Sequence, residues 1–254
     1  MFSHQEISSF NELEMSVYNY ILSNKEKVVY MKIRELADGA HVSTTTVLRF
    51  CKKVGCEGYS EFKLRLKQEL LEQKNQQPDL DISAMTEFFQ RAEGEAYQNS
   101  IQKALDILER SDIVVFIGVG SSAVLGKYGA RYFNNAGCLS MCIDDPFTPI
   151  FCEESGRITV IALSVSGTTE QTLILASQLK ARGSSLISIT DSANCPLANM
   201  SDCNIAYYIP VLRLDEHFDL TSQIPVLFTL ETLGRRLCGR KRELVTAKNK
   251  GQEL

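Results

Sequence analysis

Apolar residues recur at helical spacing early in the chain: Leu13, Val17, Tyr20 and Ile21, then Ile33, Leu36 and Ala37, then Val47, Phe50 and Val54. One apolar stripe per 3.6-residue turn is what a helix needs to bury a face, so the pattern predicts an all-helical region over 12–74. Polar residues around Pro78 interrupt it from Glu72 to Asp81, which reads as a linker. Helical spacing resumes over Ser83–Leu108, read as one continuous helix. The period then changes. Short β-rich apolar runs occupy Ile113–Ile117, Leu139–Ile143, Ile158–Leu163, Ser185–Thr190 and Asn204–Ile209, with amphipathic helical stretches at 122–135, 169–182 and 219–238. Strands alternating with helices argue for a parallel sheet covered on both faces. The expected fold class is α and α/β: an all-helical domain over 1–75, a linker and connecting helix over 76–100, and a three-layer α/β/α domain with a five-stranded parallel sheet over 101–245. The basic stretch from Gly239 to Lys250 reads as a frayed terminus.

Composition narrows the function classes. The chain has 254 residues and a formal charge of -4, so it lacks the general basic excess of a non-specific polyanion binder. Any affinity for nucleic acid must come from local charge. No secretory signal or 18-residue apolar run is present, and the eight cysteines are scattered without a CxxC pair, which points to a reduced, cytoplasmic compartment and to no membrane association. His41, Cys51 and Cys56 do not have zinc-module spacing, and neither metal nor cofactor is expected.

Local charge does appear at one place. Between His41 and Lys67 six cations face two acids, a surplus of +4. The segment Ile33–Lys52 places Leu36 and Ala37 in one short helix, a turn near Gly39–Val42, and Val47 and Phe50 in the next, a spacing that lets two helices cross over one apolar cluster. Ser43 is the natural N-cap of the second helix, which would project Thr44, Thr45, Arg49, Lys52 and Lys53 away from the core. With Ser43 and Thr46, these are the candidate DNA-binding residues: hydroxyls for phosphates or base edges, an arginine for guanine, lysines for phosphates. His41 stands where such turns commonly carry glycine, and histidine tolerates the left-handed conformation. A solvated helix pair that merely packs is the alternative.

The run that follows is more specific. Val42-Ser43, Thr46-Val47, Arg49-Phe50, Lys53, Gly55 and the unit Gly58-Tyr59 through Glu61-Phe62-Lys63 resemble the RpiR/MurR family of bacterial regulators. Farther on, Gly118-Val119-Gly120-Ser121-Ser122 ends the first predicted strand, and Ser164 to Glu170 ends the third, each running into a helix. Glycines allow a close backbone turn, while hydroxyls and helix N-termini offer donors to an anion. Ser164, Ser166, Thr168 and Thr169 crowd hydroxyls around Gly167 at such a start. A dinucleotide fingerprint is not completed, because position 123 is alanine.

These loops, with Thr190, Pro196-Leu197-Ala198 and Ser201-Asp202, resemble the SIS (sugar isomerase) domain across about 105–238. The resemblance implies that Ser164, Ser166, Gly167 and Thr169 hold a sugar phosphate and that Ser121 and Ser122 touch its hydroxyls or phosphate; Gly120, Thr168 and Glu170 complete the candidate ligand-binding set. It further implies a regulator of sugar-metabolism genes, with operator DNA and a phosphorylated sugar as partners and at least a homodimer as the assembly. The competing reading is a SIS-type sugar-phosphate isomerase with Glu170 or His217 as general base. A third reading is an interaction module without a small ligand.

Overall fold

A computed structural model describes residues 2, 4–73, 81–145, 148, 156–212 and 219–251. The chain divides into two compact units, Met1–Thr86 with Tyr208–Ser222, and Glu87–Tyr207 with Gln223–Leu254.

The first unit contains α1 (His4–Ser9), α2 (Glu12–Ser23), α3 (Lys25–Val28), α4 (Ile33–Gly39), α5 (Thr44–Lys53) and α6 (Tyr59–Gln73). The apolar stripes converge as the periodicity requires: Val17, Ile21, Leu36, Val47, Phe50 and Phe62 are each fully enclosed. Phe50 meets Phe62 edge-on with ring centroids 5.9 Å apart and Phe10 at 5.0 Å. Each such side chain contributes about 1.5–3 kcal/mol by leaving water. The sequence between Lys74 and Leu80, most of the expected linker, lies outside the described residues.

The helix expected over Ser83–Leu108 is instead two, α7 (Ile82–Glu93) and α8 (Glu95–Leu108). Gly94 separates them in an extended conformation (ψ 154°), taking the N-cap position of α8. Glycine is the poorest helix former after proline, and here its lack of preference prevails over the continuous apolar stripe.

The second unit continues with β1 (Ile113–Ile117), α9 (Ser121–Asn135), β2 (Ser140–Ile143), β3 (Ile158–Leu163), α10 (Glu170–Ala181), β4 (Ser185–Thr190), α11 (Pro196–Met200), β5 (Cys203–Ala206) and α12 (Ile224–Gly251). All pairings are parallel, in the order β2-β1-β3-β4-β5. Val115 sits opposite Val160, and Ile161 opposite Ile187, so β-branched residues stack across the centre of the sheet. The last strand is shorter than the apolar run that predicted it. Tyr207 still donates its N–H to Thr190 O, but Tyr208 adopts φ +45° and the chain turns away. The basic stretch expected to fray is helical as far as Gly251.

One property of this topology positions the site. β1 lies between β2 and β3, a switch point in the strand order, and sheets of this kind bind ligands outside the carboxyl ends of the strands at such a point. Both glycine-hydroxyl loops begin there.

Candidate functional site

The helix pair of the first unit is built from α4 and α5. His41 occupies the turn with φ +53°; its N–H donates to Asp38 O, and Val42 N–H to Ala37 O, closing the end of α4 as a glycine would. Ser43 caps α5 by accepting Thr46 N–H at 3.1 Å. Thr45, Leu48, Arg49 and Lys52 are exposed along α5, and Thr44 is half-buried. Thr46 sits differently from the sequence expectation, and Lys53, exposed as expected, is tied to neighbouring elements. Thr46 is buried, with its hydroxyl 2.9 Å from that of Ser43, so it completes the cap rather than facing outward. The Lys53 ammonium donates to Ser9 O and, at 2.6 Å, to Glu14 Oε2.

Glu14 is the residue that sequence reasoning passed over. It lies in α2, is 4% exposed, and accepts the Asn11 N–H at 3.0 Å while Asn11 Oδ1 accepts the Glu14 N–H, a reciprocal cap. The Asn-x-x-Glu spacing signals that cap in the sequence; the partnership with Lys53 does not show there. Burial alone would raise the Glu14 pKa, but the Lys53 and Asn11 hydrogen bonds and the charges of Lys53 and Arg49 outweigh it and hold it below the usual glutamate range. A lowered native pKa adds stability above the unfolded value, and that stability is lost as pH falls through the native value. Glu14→Gln is therefore expected to destabilise the first unit at neutral pH by about 1–3 kcal/mol, the cost of leaving charged partners unmatched, and by progressively less below pH ~4.3. Thermal unfolding against pH measures this; parallel stability curves for wild type and variant would refute it.

Cys51 and Cys56 are both buried, and burial pushes the Cys51 thiol up to about 12, so it stays protonated. Among the described residues no group of three metal-ligating side chains assembles.

In the second unit, Gly118 follows β1 so closely beneath α9 that a Cβ there would stand 3.0 Å from the Ser122 Cβ. Gly120, at φ +60°, is the N-cap of α9 and supplies no side-chain cap. Ser121 is exposed and Ser122 almost buried. The loop after β3 is more tightly organised. Ser164 is buried; its hydroxyl accepts Gly167 N–H at 3.1 Å and lies 3.1 Å from the Thr169 hydroxyl. Ser166 Oγ accepts from both the Thr168 N–H and the Thr168 hydroxyl. Thr169 is the N-cap of α10 without a side-chain cap bond, and Glu170 is its exposed first residue. Two helix N-termini lacking side-chain caps thus open at the ends of adjacent strands, which suits an anion.

A wall of this site was not anticipated. The loop after β4 carries Asp191, 4% exposed, and Ser192, 6% exposed, and it is stitched to the phosphate-type loop by Asp191 N–H to Val165 O and Leu197 N–H to Gly167 O. Only the parallel pairing of β3 with β4 brings them together, so no local motif could announce it. His217 lies outside the described residues.

Two stretches of the chain match known protein families. Residues 4–73 match the helix-turn-helix domain of the rpiR family, and residues 154–228 match the SIS domain, a stretch that includes the loop after β3 but not that after β1. The chain is 24% identical over 240 residues to the HTH-type transcriptional regulator GlvR of Bacillus subtilis, covering 91% of this chain and 92% of that one. It is 24% identical over 245 residues to the regulator HexR of Escherichia coli, covering 90% and 83%. Among solved structures, the Vibrio vulnificus NanR protein complexed with ManNAc-6P shares the fold at a TM-score of 0.57 and 22% identity, with 97% and 94% of the two chains covered. The sugar isomerase domain of an RpiR transcription factor from Sphaerobacter thermophilus aligns at 0.51 and 18% identity, over 70% of this chain and all of that one.

Proposed function

Since the chain belongs to the RpiR family of helix-turn-helix transcriptional regulators with a SIS domain, we propose that it controls sugar-metabolism genes from the cytoplasm through a phosphorylated-sugar effector. The observation that carries this reading is the pairing, in one chain, of an outward stripe of Thr45, Arg49 and Lys52 on α5 with two glycine-hydroxyl loops at adjacent strand ends. The ManNAc-6P complexed with the NanR protein supports a sugar phosphate as the effector class. Ser164, Ser166, Gly167, Thr168 and Thr169 would receive the phosphoryl group; Gly120, Ser121 and Ser122 would meet the sugar. Ser43, Thr44, Thr45, Arg49 and Lys52 would face operator DNA, with Thr46 and Lys53 acting through the shape of α5.

Helix-turn-helix proteins bind paired half-sites as dimers, so a homodimer or larger assembly is the working state. The effector acts by preferring one arrangement of the paired SIS domains, which alters the spacing of the DNA-reading helices. Phosphorylated hexoses and amino sugars are screened by thermal shift: a ligand at 100 times its Kd is expected to add about 2.7 kcal/mol to stability, and silence across the panel would refute the effector class. The isomerase reading assigns Glu170 as base. Its exposed place at the first position of α10 is equally suited to favouring a helix N-terminus, and we therefore assign it no catalysis. Turnover of a sugar phosphate that disappears in Glu170→Gln would reverse that assignment.

A further inference from the structure

The phosphate-type loop rests on a thiol. Gly167 is buried at φ +64°, and a Cβ built there would fall on Cys195 Sγ, 2.8 Å from Cys195 Cβ and 3.4 Å from Thr190 Cγ2. The loop backbone therefore lies in direct contact with Cys195. That contact has little freedom from below. Cys195 is 3% exposed and is held extended as the N-cap of α11, with Pro196 locking the next φ. Its thiol donates to Ser192 O at 3.3 Å, the same carbonyl that accepts the Thr190 hydroxyl at 2.8 Å. Thr190 Oγ1 in turn accepts from Asn204 Nδ2 at 2.8 Å. Two residues on, the N–H of fully buried Leu197 donates to Gly167 O at 3.1 Å.

We propose that Cys195 is a positioning residue for the phosphate loop: its volume sets the height of Gly167 and so the aim of the backbone N–H groups that receive the phosphoryl group. The proposal rests on the effector reading above. Its physical basis is the direction in which strain must travel. Packed interiors do not absorb an added methyl group without moving neighbours. Here the neighbours below Cys195 are tied by the Thr190–Ser192–Asn204 bonds, whereas the loop above it is held by single hydrogen bonds, from Leu197 and to Ser164 at Gly167 and from Asp191 at Val165. Added volume at 195 therefore displaces the loop. Hydrogen bonds weaken steeply with misalignment, so a small displacement costs affinity for phosphate specifically.

The test uses the full-length protein, with calorimetric Kd values for inorganic phosphate and for the tightest-binding member of a hexose 6-phosphate panel. Operator affinity without ligand serves as the folding control. Cys195→Val is expected to weaken both phosphate ligands by at least about tenfold, or about 1.4 kcal/mol, with operator affinity unchanged. Cys195→Ser, which keeps a donor for Ser192 O and adds no volume, is expected to stay within about threefold of wild type. Gly167→Ala is expected to weaken phosphate binding by at least about a hundredfold. Adding Cys195→Gly to it removes the sulfur and Cβ that the new methyl would strike, and should recover at least about tenfold, since residues in contact couple non-additively. Recovery of phosphate affinity with operator affinity unchanged separates a displaced loop from a general folding defect. Equal phosphate affinity in wild type and Cys195→Val, or no recovery in the double variant, overturns the proposal. If Cys195→Val does not fold, the double variant decides alone. A folded wild type that binds no phosphate ligand overturns the effector reading, and this proposal with it, before any substitution is made.

Discussion

Arg49→Ala is expected to lower affinity for a duplex selected by the wild-type protein from random sequence by about 5- to 150-fold, the worth of one bidentate base contact of roughly 1–3 kcal/mol. The expectation follows from how α5 distributes its cations. Lys53 sits 2.6 Å from Glu14, whereas Arg49 stands 3.8 Å from the same carboxylate with 57% of its side chain exposed. At that distance, with Lys53 already bonded to the buried carboxylate, the solvent-facing Arg49 gains little from Glu14, so it is free to exchange the contact for DNA and its removal should change stability little. Lys52→Ala, which loses only a phosphate contact, should weaken binding to all sequences alike and lower the salt slope by about one. Anisotropy titrations on selected and scrambled duplexes separate the two, with effector binding as the folding control. An Arg49→Ala protein that keeps its discrimination between the duplexes would remove α5 as the reader.

The second large effect is expected at Ser164. Its hydroxyl is buried, takes the Gly167 N–H, and lies within bonding distance of Thr169, so it holds the loop closed around its own backbone. Ser164→Ala leaves a buried N–H without its partner, a cost of about 1–3 kcal/mol that the loop can relieve only by changing shape. Phosphosugar affinity should fall by roughly 5- to 150-fold, while DNA affinity without ligand stays as in wild type and the effector response shifts to higher concentration. Thr168→Ala is the contrast: it removes one exposed donor to the phosphate, bonded to Ser166 in the free loop, without leaving a buried group unpartnered, so a smaller loss is expected. Similar losses from the two substitutions would mean that the loop does not hold its shape through Ser164.

Much of this molecule is legible along the chain because its determinants are local. Helical spacing needs only neighbours three and four residues apart, and the alternation of short β-branched runs with amphipathic stretches predicted a five-stranded parallel sheet. Ser43 as a cap and His41 in a left-handed turn are decided within one or two turns of helix, and both are found where the sequence put them. The family resemblance drew on the same short-range patterns. Gly94 belongs there too: one residue of low helix propensity divides a helix that the apolar stripe alone would have continued.

What the tertiary structure decided is which of the marked residues stand open and which are tied to a neighbour. Lys53 and Arg49 look equivalent on a helical projection; only the arrival of Glu14 from α2 ties one closely and leaves the other at a distance. Thr46 and Ser164 carry the same hydroxyl as their neighbours, and burial alone turns each into a strut. Cys195 lies 28 residues beyond Gly167 by count and directly beneath it in space, because β3 and β4 pair in parallel and bring their carboxyl ends side by side. Periodicity reports which face of an element is apolar. It carries no record of what that face, or the loop at its end, will meet.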